Sequence, residues 1–377
     1  MVKLGDICTV VSGSTPSSSV AEYWDGNHIW ITPAELSDDS FIIYDSVRHI
    51  TDRAIQETSL KPFPEGTVIL SSRAPIGKTA IAGCKMYCNQ GFKNLICSDS
   101  IYNKYLYFFL SAKTDYLNSL GRGATFKEIS KYIVENIQIY LPTIEEQKKR
   151  AGILEKLMFL IQTRKKQLSK LNQLVKSRFI EMFGDTKNNI NNFKIYSIGD
   201  ICSLKSGTSL PLNVENEGGD IPYIKVSDMS LPGNERYITI SSRYVTQKTA
   251  GKGIFPVGSV IFPKRGGAIG TNKKRLTQIP ICADLNIMGV IPGANIMPQY
   301  LLSYFDMIDL GKLDNGSSVP QLNNKDIAPL KILLPPLSLQ EQFAAFVEQV
   351  EKAKSSVKQS LEKLETLKKS LMQEYFG

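Results

Sequence analysis

Leu4-Gly5-Asp6-Ile7-Cys8-Thr9 returns as Ile198-Gly199-Asp200-Ile201-Cys202-Ser203, 194 residues further along the chain. The echo continues. Trp30-Ile31-Thr32 with Glu35-Leu36 matches Tyr223-Ile224-Lys225 with Asp228-Met229. Phe63-Pro64-Glu65-Gly66-Thr67-Val68-Ile69 matches Phe255-Pro256-Val257-Gly258-Ser259-Val260-Ile261, and each is followed by an arginine and an Ile-Gly pair: Arg73 with Ile76-Gly77, Arg265 with Ile269-Gly270. Ile137-Gln138-Ile139-Tyr140-Leu141-Pro142 matches Leu330-Lys331-Ile332-Leu333-Leu334-Pro335, and Met182-Phe183-Gly184 matches Tyr375-Phe376-Gly377. One unit of roughly 190 residues is written twice, head to tail, and such a duplication sets the architecture before any local reading.

Both copies share one plan. The first three quarters hold short β-branched and aromatic runs (Thr67 to Leu70, Val260 to Phe262, Ile137 to Leu141) punctuated by Gly, Pro, Ser and Asn, which predicts a mixed domain with a substantial sheet. After Pro142 and again after Pro336 the composition turns to Lys, Glu, Gln and Leu. There Leu154, Leu157, Ile161, Leu168, Leu171 and Val175 fall on a 3-4 spacing, as do Val347, Val350, Val357, Leu361, Leu364 and Leu371. That spacing predicts two long helices meeting along an apolar seam. The seam is imperfect in a complementary way: Lys354 and Lys368 stand where the first helix has Ile161 and Val175, and Arg164 and Arg178 stand where the second has Val357 and Leu371. Two unlike helices that pair with each other satisfy this pattern. Large apolar residues at the helix ends (Phe179, Met182 and Phe183; Met372, Tyr375 and Phe376) are expected to cap the seam or pack on the opposite globular domain. The fold class expected is α+β: two tandem mixed α/β domains, residues 1–141 and 186–335, separated by two long antiparallel coiled-coil helices, 142–185 and 336–377, with internal pseudo-twofold symmetry. Set antiparallel, the helices would form a rod with a globular domain at each end. Duplex DNA repeats its face every ~34–36 Å, so both domains could reach the major groove on one side.

Composition narrows the class. A chain of 377 residues with 42% hydrophobic and 21% charged residues is globular, and no apolar run approaches a membrane span. The opening Met1-Val2-Lys3-Leu4 leads straight into domain-like sequence without a signal peptide, and six cysteines are too few for a disulfide framework, so reduced thiols in a cytoplasm are expected. A formal charge of +9 makes a polyanion the first partner to consider.

Several motifs carry a family resemblance: Ser12-Gly13-Ser14-Thr15-Pro16, Tyr23-Trp24-Asp25-Gly26 with Trp30-Ile31-Thr32, and Gly66-Thr67-Val68-Ile69-Leu70-Ser71-Ser72-Arg73-Ala74-Pro75-Ile76-Gly77. Leu141-Pro142 before Glu146-Gln147, and Leu334-Pro335-Pro336-Leu337 before Gln340-Glu341-Gln342, complete the set. With the two-domain, two-helix plan these resemble the specificity (S) subunit of type I restriction-modification systems. The resemblance implies a non-enzymatic subunit whose target-recognition domains each read half of a bipartite double-stranded DNA sequence, while the helices set the spacer. It also implies docking to two modification (methyltransferase) subunits and to ATP-dependent restriction subunits. The chain itself would carry no cofactor; S-adenosylmethionine and ATP would sit on the partners. The alternatives are the specificity subunit of a related multisubunit restriction system, a coiled-coil protein–protein adaptor, and a self-sufficient methyltransferase.

The residues themselves agree. The only Pro-Pro pair, Pro335-Pro336, is flanked by Leu334 and Leu337 rather than by the Asn or Asp and aromatic residue of adenine transfer, and no Walker loop is present. Neither His28 nor His49 sits in an acid–base pattern. Cys84, Cys88 and Cys97 read as buried thiols rather than a metal site, since the second copy keeps only Cys202 and Cys282, the equivalents of Cys8 and Cys88. Readout of base edges needs Arg, Lys, Asn, Gln, Ser or Thr on loops. The candidates are Arg73, Lys78, Asn89, Gln90, Lys93, Arg122, Thr125 and Lys127 in the first domain. In the second they are Lys225, Lys264, Arg265, Lys273, Lys274, Arg275, Ser317, Ser318, Gln321 and Asn323.

Overall fold

The computed structural model describes every residue except 59, 74, 124–126, 188, 190 and 314–319. The chain divides into two compact units, Met1–Lys165 with Gln359–Gly377, and Lys166–Lys358.

The first unit is built on a five-stranded sheet in the order Cys8–Val11, Asn94–Cys97, Val68–Leu70, Thr79–Ala82, Ile42–Ile43. All neighbours are antiparallel except the last pair. Val68, Ile69 and Leu70 are fully buried, as a central strand covered on both faces requires. One cover is the helix Asn103–Ala112, whose Tyr105 to Leu110 are all buried; this greasiest stretch of the sequence is a core helix. A smaller sheet sets Trp24–Ile31 between His49–Ile50 and Tyr87–Cys88. The second unit repeats the pattern. Its main sheet runs Cys202–Ser206, Ile287–Pro292, Val260–Pro263, Arg275–Thr277, Tyr237–Ile238, with the same single parallel pair at the end. Its smaller sheet centres on Ile221–Ile224 and Ile281–Ala283 and adds one strand, Ile254–Phe255.

Two continuous helices of 40 residues, Ile144–Phe183 and Leu337–Phe376, follow the two globular parts. At ~1.5 Å per residue each is about 60 Å long. Each unit holds the start of one helix beside the end of the other, an antiparallel arrangement. In the first unit Ala151, Leu154 and Met158 share a core with Leu371, Met372, Tyr375 and Phe376. In the second, Val175, Phe179 and Phe183 share one with Phe343, Val347 and Val350. Phe376 packs on Tyr105 and Phe109 of the first domain, so the helix that follows the second domain ends on the first. The fold is α+β, with tandem mixed domains and long antiparallel helices.

Of the seam positions, Leu154, Leu157, Ile161, Val175, Val347, Val350 and Val357 are buried, while Leu168, Leu171, Leu361, Leu364 and Leu371 are half-buried. Two of the polar intruders show how they are accommodated. Arg164 Nε donates to Ser360 Oγ at 3.3 Å. Lys354, almost fully buried, pairs with Glu351 at 2.7 Å.

Candidate nucleic-acid interface

In both units the strands of the two sheets run into glycine-punctuated loops. A backbone crossing explains one of these glycines in each unit: a Cβ on Gly13 would lie 1.9 Å from the Cys88 carbonyl oxygen, and one on Gly207 would lie 2.1 Å from that of Asp284. Only glycine permits so close an approach. In the first unit this crossing brings the segment after Gly13 against the segment after Cys88. The Trp30 indole N–H donates to the Ser14 carbonyl at 3.1 Å and that of Trp24 to the Ser17 carbonyl at 3.2 Å. The two indoles meet edge to face, and the Arg48 guanidinium lies 3.5 Å above the Trp24 ring centre. The loop so held presents Thr15, whose hydroxyl donates to Gln90 Oε1 at 2.5 Å. Gln90 is exposed, and this bond leaves its amide N–H groups as donors. Asn89 serves the backbone instead: its Oδ1 accepts from the Gly91 N–H at 2.9 Å.

Glu128 is the hub of the neighbouring loop. Its backbone exchanges hydrogen bonds with Arg122 at 3.0 and 2.9 Å, and its carboxylate takes Lys93 at 3.0 Å and Arg73 at 3.9 Å. Lys93 is buried there, and Lys78 Nζ is spent on the Leu36 carbonyl at 2.7 Å. The cations left outermost are Arg122 and Lys127, both exposed on the loop that Glu128 closes. Thr125 lies outside the described residues.

The second unit places Lys264, Arg265, Gln321 and Asn323 together. Arg265 bridges to Gln321 through the backbone, as Arg73 does to Glu128. Lys264 Nζ donates to Ser206 Oγ at 2.8 Å, and burial, then the charge of Arg265, holds its pKa below the usual lysine range. Gln321 Nε2 donates to Asn323 Oδ1 at 2.9 Å, while Asn323 caps the short helix Asn324–Ile327. Arg265 is exposed beside the open turn Gly266–Thr271, where side chains at Gly267 and Gly270 would meet nothing. The basic run beyond it turns inward. Lys273 reaches Ser230 Oγ at 2.5 Å. Lys274 is buried on the Asn272 side chain and the Ile308 carbonyl, and burial pulls its pKa down to about 8. Arg275 donates to the carbonyls of Met229 and Asn234. Lys225 stands apart, paired with Glu215 at 2.6 Å. Ser317 and Ser318 lie outside the described residues.

Residue type alone selected Lys93, Lys274 and Arg275 as base or phosphate contacts; the fold gives each a partner inside. It passed over Thr15, Glu128 and Glu215. A signal for Glu128 existed, because it aligns with Gln321 in the duplication.

The chemistry on offer is amide, hydroxyl and guanidinium hydrogen bonding. His28 pairs with Asp52 at 2.7 Å and His49 with Asp45 at 2.9 Å, both with exposed carboxylates and on the small sheet or its flank. Among the described residues no group of three or more His, Cys, Asp or Glu is placed to hold a metal ion, and no helix is long and apolar enough to cross a membrane.

Comparison with known proteins places this arrangement. The family described as "Type I restriction modification DNA specificity domain" matches residues 1–173 and again 190–366. The chain is 30% identical over 373 residues to the type I restriction enzyme MjaIX specificity subunit of Methanocaldococcus jannaschii, covering 92% of this chain and 85% of the relative. It is 27% identical over 160 residues to the EcoR124I/EcoR124II specificity subunit of Escherichia coli, covering 41% of this chain and 39% of that one. The fold matches that of the S subunit of a type I restriction-modification system from M. genitalium with a TM-score of 0.61 at 15% identity, covering 100% of this chain and 95% of that one. A chain solved in a study of assembly and conformational transition of the type I R-M system also gives a TM-score of 0.61, at 18% identity and 100% and 96% coverage. The duplicated sheets, the paired long helices and these matches agree: the chain belongs to the type I restriction-modification DNA specificity family and carries its domain twice.

Proposed function

We propose that this chain is the DNA-specificity subunit of a type I restriction-modification complex. The observation that carries the reading is the duplication: one recognition fold is built twice, with different side chains on equivalent loops. The Asn89 N–H donates to the Ile31 carbonyl as that of Asp284 does to the Ile224 carbonyl, so Thr15 and Gln90 in the first unit give way to Ser209 and Leu285 in the second, and the two interfaces differ in hydrogen-bonding pattern. Two unlike readers suit a bipartite target with two unlike halves. Residues 1–141 and 186–335 are the readers; 142–185 and 336–377 set the spacer between half-sites and dock two modification subunits. The chain is non-catalytic. Modification subunits bring S-adenosylmethionine, restriction subunits bring ATP-driven cleavage, and the complex works in the cytoplasm.

The test is methylome sequencing of cells expressing this chain with the modification subunit encoded beside it, against cells lacking only this chain. A bipartite N6-methyladenine motif that depends on the chain is expected. No such motif, with the modification subunit shown active beside another specificity chain, removes the proposal in favour of an adaptor.

A second expectation concerns the DNA backbone. Arg122 and Lys127 are the exposed cations of the first interface, so Arg122→Ala with Lys127→Ala is expected to weaken duplex binding on all sequences alike. The slope of log affinity against log salt should flatten by about 1 for each phosphate that is no longer neutralised. An unchanged slope removes both residues from the interface.

A further inference from the structure

We propose that Cys8 and Cys97 are an oxidisable dithiol, converted to a reversible disulfide by a low-molecular-weight disulfide such as oxidised glutathione. The geometry comes from the sheet. Cys8 and Cys97 face each other on adjacent antiparallel strands, in register. The Ser98 N–H donates to the Ile7 carbonyl at 3.0 Å, which makes 8 and 97 the non-hydrogen-bonded kind of pair. Such pairs bring their Cα atoms to about 4.5 Å, at the near edge of the roughly 4.4–6.8 Å that disulfides span. The pairing also marks the chemistry of Cys8, whose thiol is held far above its ordinary pKa, first by the neighbouring Cys97 thiol and then by burial.

Access is one-sided. Cys8 is buried, whereas Cys97 is half-buried and lines a cavity of about 460 Å³ with Glu65, Asn103 and Lys148. Cys97 is therefore the attacking thiol. Its thiolate displaces one glutathione thiolate from oxidised glutathione and leaves a mixed disulfide on Cys97. The Cys8 sulfur then attacks the Cys97 sulfur, the second glutathione leaves, and the protons of both cysteines pass to the two glutathione thiolates. Two protein thiols lose two electrons and one small disulfide gains them. Excess small thiol reverses the exchange by the same two steps run backwards. The device belongs to the first unit alone, because the residue opposite Cys202 is Pro292.

The full native chain is incubated with oxidised glutathione, quenched, unfolded and alkylated, and its peptides are analysed by mass spectrometry. Cys8 and Cys97 are expected to lose alkylation together and to appear as one cross-linked peptide pair that dithiothreitol releases. Cys8→Ser is expected to stop at glutathione on Cys97, with the circular dichroism of the folded chain retained. The same treatment in urea should not favour this pair over the other cysteines. Two results overturn the proposal: wild-type chain that stops at glutathione on Cys97, or Cys8 and Cys97 both still alkylated when Cys84 has reacted.

Discussion

Arg236→Ala is expected to lower the stability of the second unit by about 3 kcal/mol, seen as a fall in its urea midpoint with an unchanged slope. Arg236 Nη1 donates to Asp306 at 3.1 Å, and its Nε lies 3.4 Å from Glu351. The second contact is an ion pair without hydrogen-bond geometry, since Nε and Nη2 find no acceptor. Burial works against the guanidinium charge, but Asp306 and then Glu351 more than offset it, and its pKa stands above the usual arginine range. Glu351 also holds the buried Lys354 at 2.7 Å, so the lysine that interrupts the helix seam belongs to this cluster. Removing the arginine strands Asp306 in a site where water reaches only part of it. The first unit solves the same position without charge. Phe41 occupies the place of Arg236, as the matching strand hydrogen bonds show: the Ile81 N–H donates to the Phe41 carbonyl and that of Leu276 to the Arg236 carbonyl. Ser111, Met158 and Ile161 stand where the second unit has Asp306, Glu351 and Lys354. Phe41 packs there on Tyr107 and Phe108. Transplanting all four residues (Arg236→Phe, Asp306→Ser, Glu351→Met, Lys354→Ile) is expected to restore the midpoint to within about 1 kcal/mol of the original, because buried ion clusters and apolar packing are near equivalents. A single Arg236→Ala variant as stable as the parent removes the cluster from the stability of this unit.

The two kinds of information in the sequence were unequally legible. Duplication and periodicity report on backbone and burial, which depend on many residues at once. Hence a substantial sheet in each copy, the long helices and the deeply buried seam ends at Leu154 and Val347 could all be read from residue order. The middle of the seam was harder: Leu168 and Leu361 keep the spacing but are only half-buried, as spacing carries no information on how much covers a position. Contact residues were harder still. An arginine is chosen for an interface by what surrounds it, and Lys93 and Arg275 owe their inward places to Glu128 and to the Met229 and Asn234 carbonyls, distant in sequence. Lys354 shows the same limit on the helices, since its partner Glu351 is local but the Arg236 that completes the cluster is not.

Gln147→Leu and Gln340→Leu are each expected to destabilise their own unit by about 3 kcal/mol, because one fully buried side chain makes three hydrogen bonds to backbone groups at once. Gln147 is fully buried at the first turns of the central helix. Its Oε1 accepts from the Tyr102 N–H at 2.8 Å, and its Nε2 donates to the carbonyls of Pro142 and Ser100 at 2.9 and 3.1 Å. Gln340 repeats the arrangement with the Met297 N–H at 2.8 Å and the carbonyls of Pro335 and Asn295 at 2.8 and 3.0 Å. The glutamine thus ties the start of each long helix to the turn before the core helix of the preceding domain. Leucine has nearly the same volume, so no large cavity accompanies the change and the cost isolates the unpaired groups. Glutamate keeps the acceptor but loses both donors and brings a buried charge, so Gln147→Glu is expected to be worse than Gln147→Leu at neutral pH. Hydrogen exchange separates a local from a global effect. In Gln147→Leu the Tyr102 amide should lose protection while the Met297 amide keeps it, and Gln340→Leu should reverse the pattern. Equal loss at both amides in either variant would show that the two anchors do not act separately, and unchanged protection at both would show that these hydrogen bonds do not hold the helices.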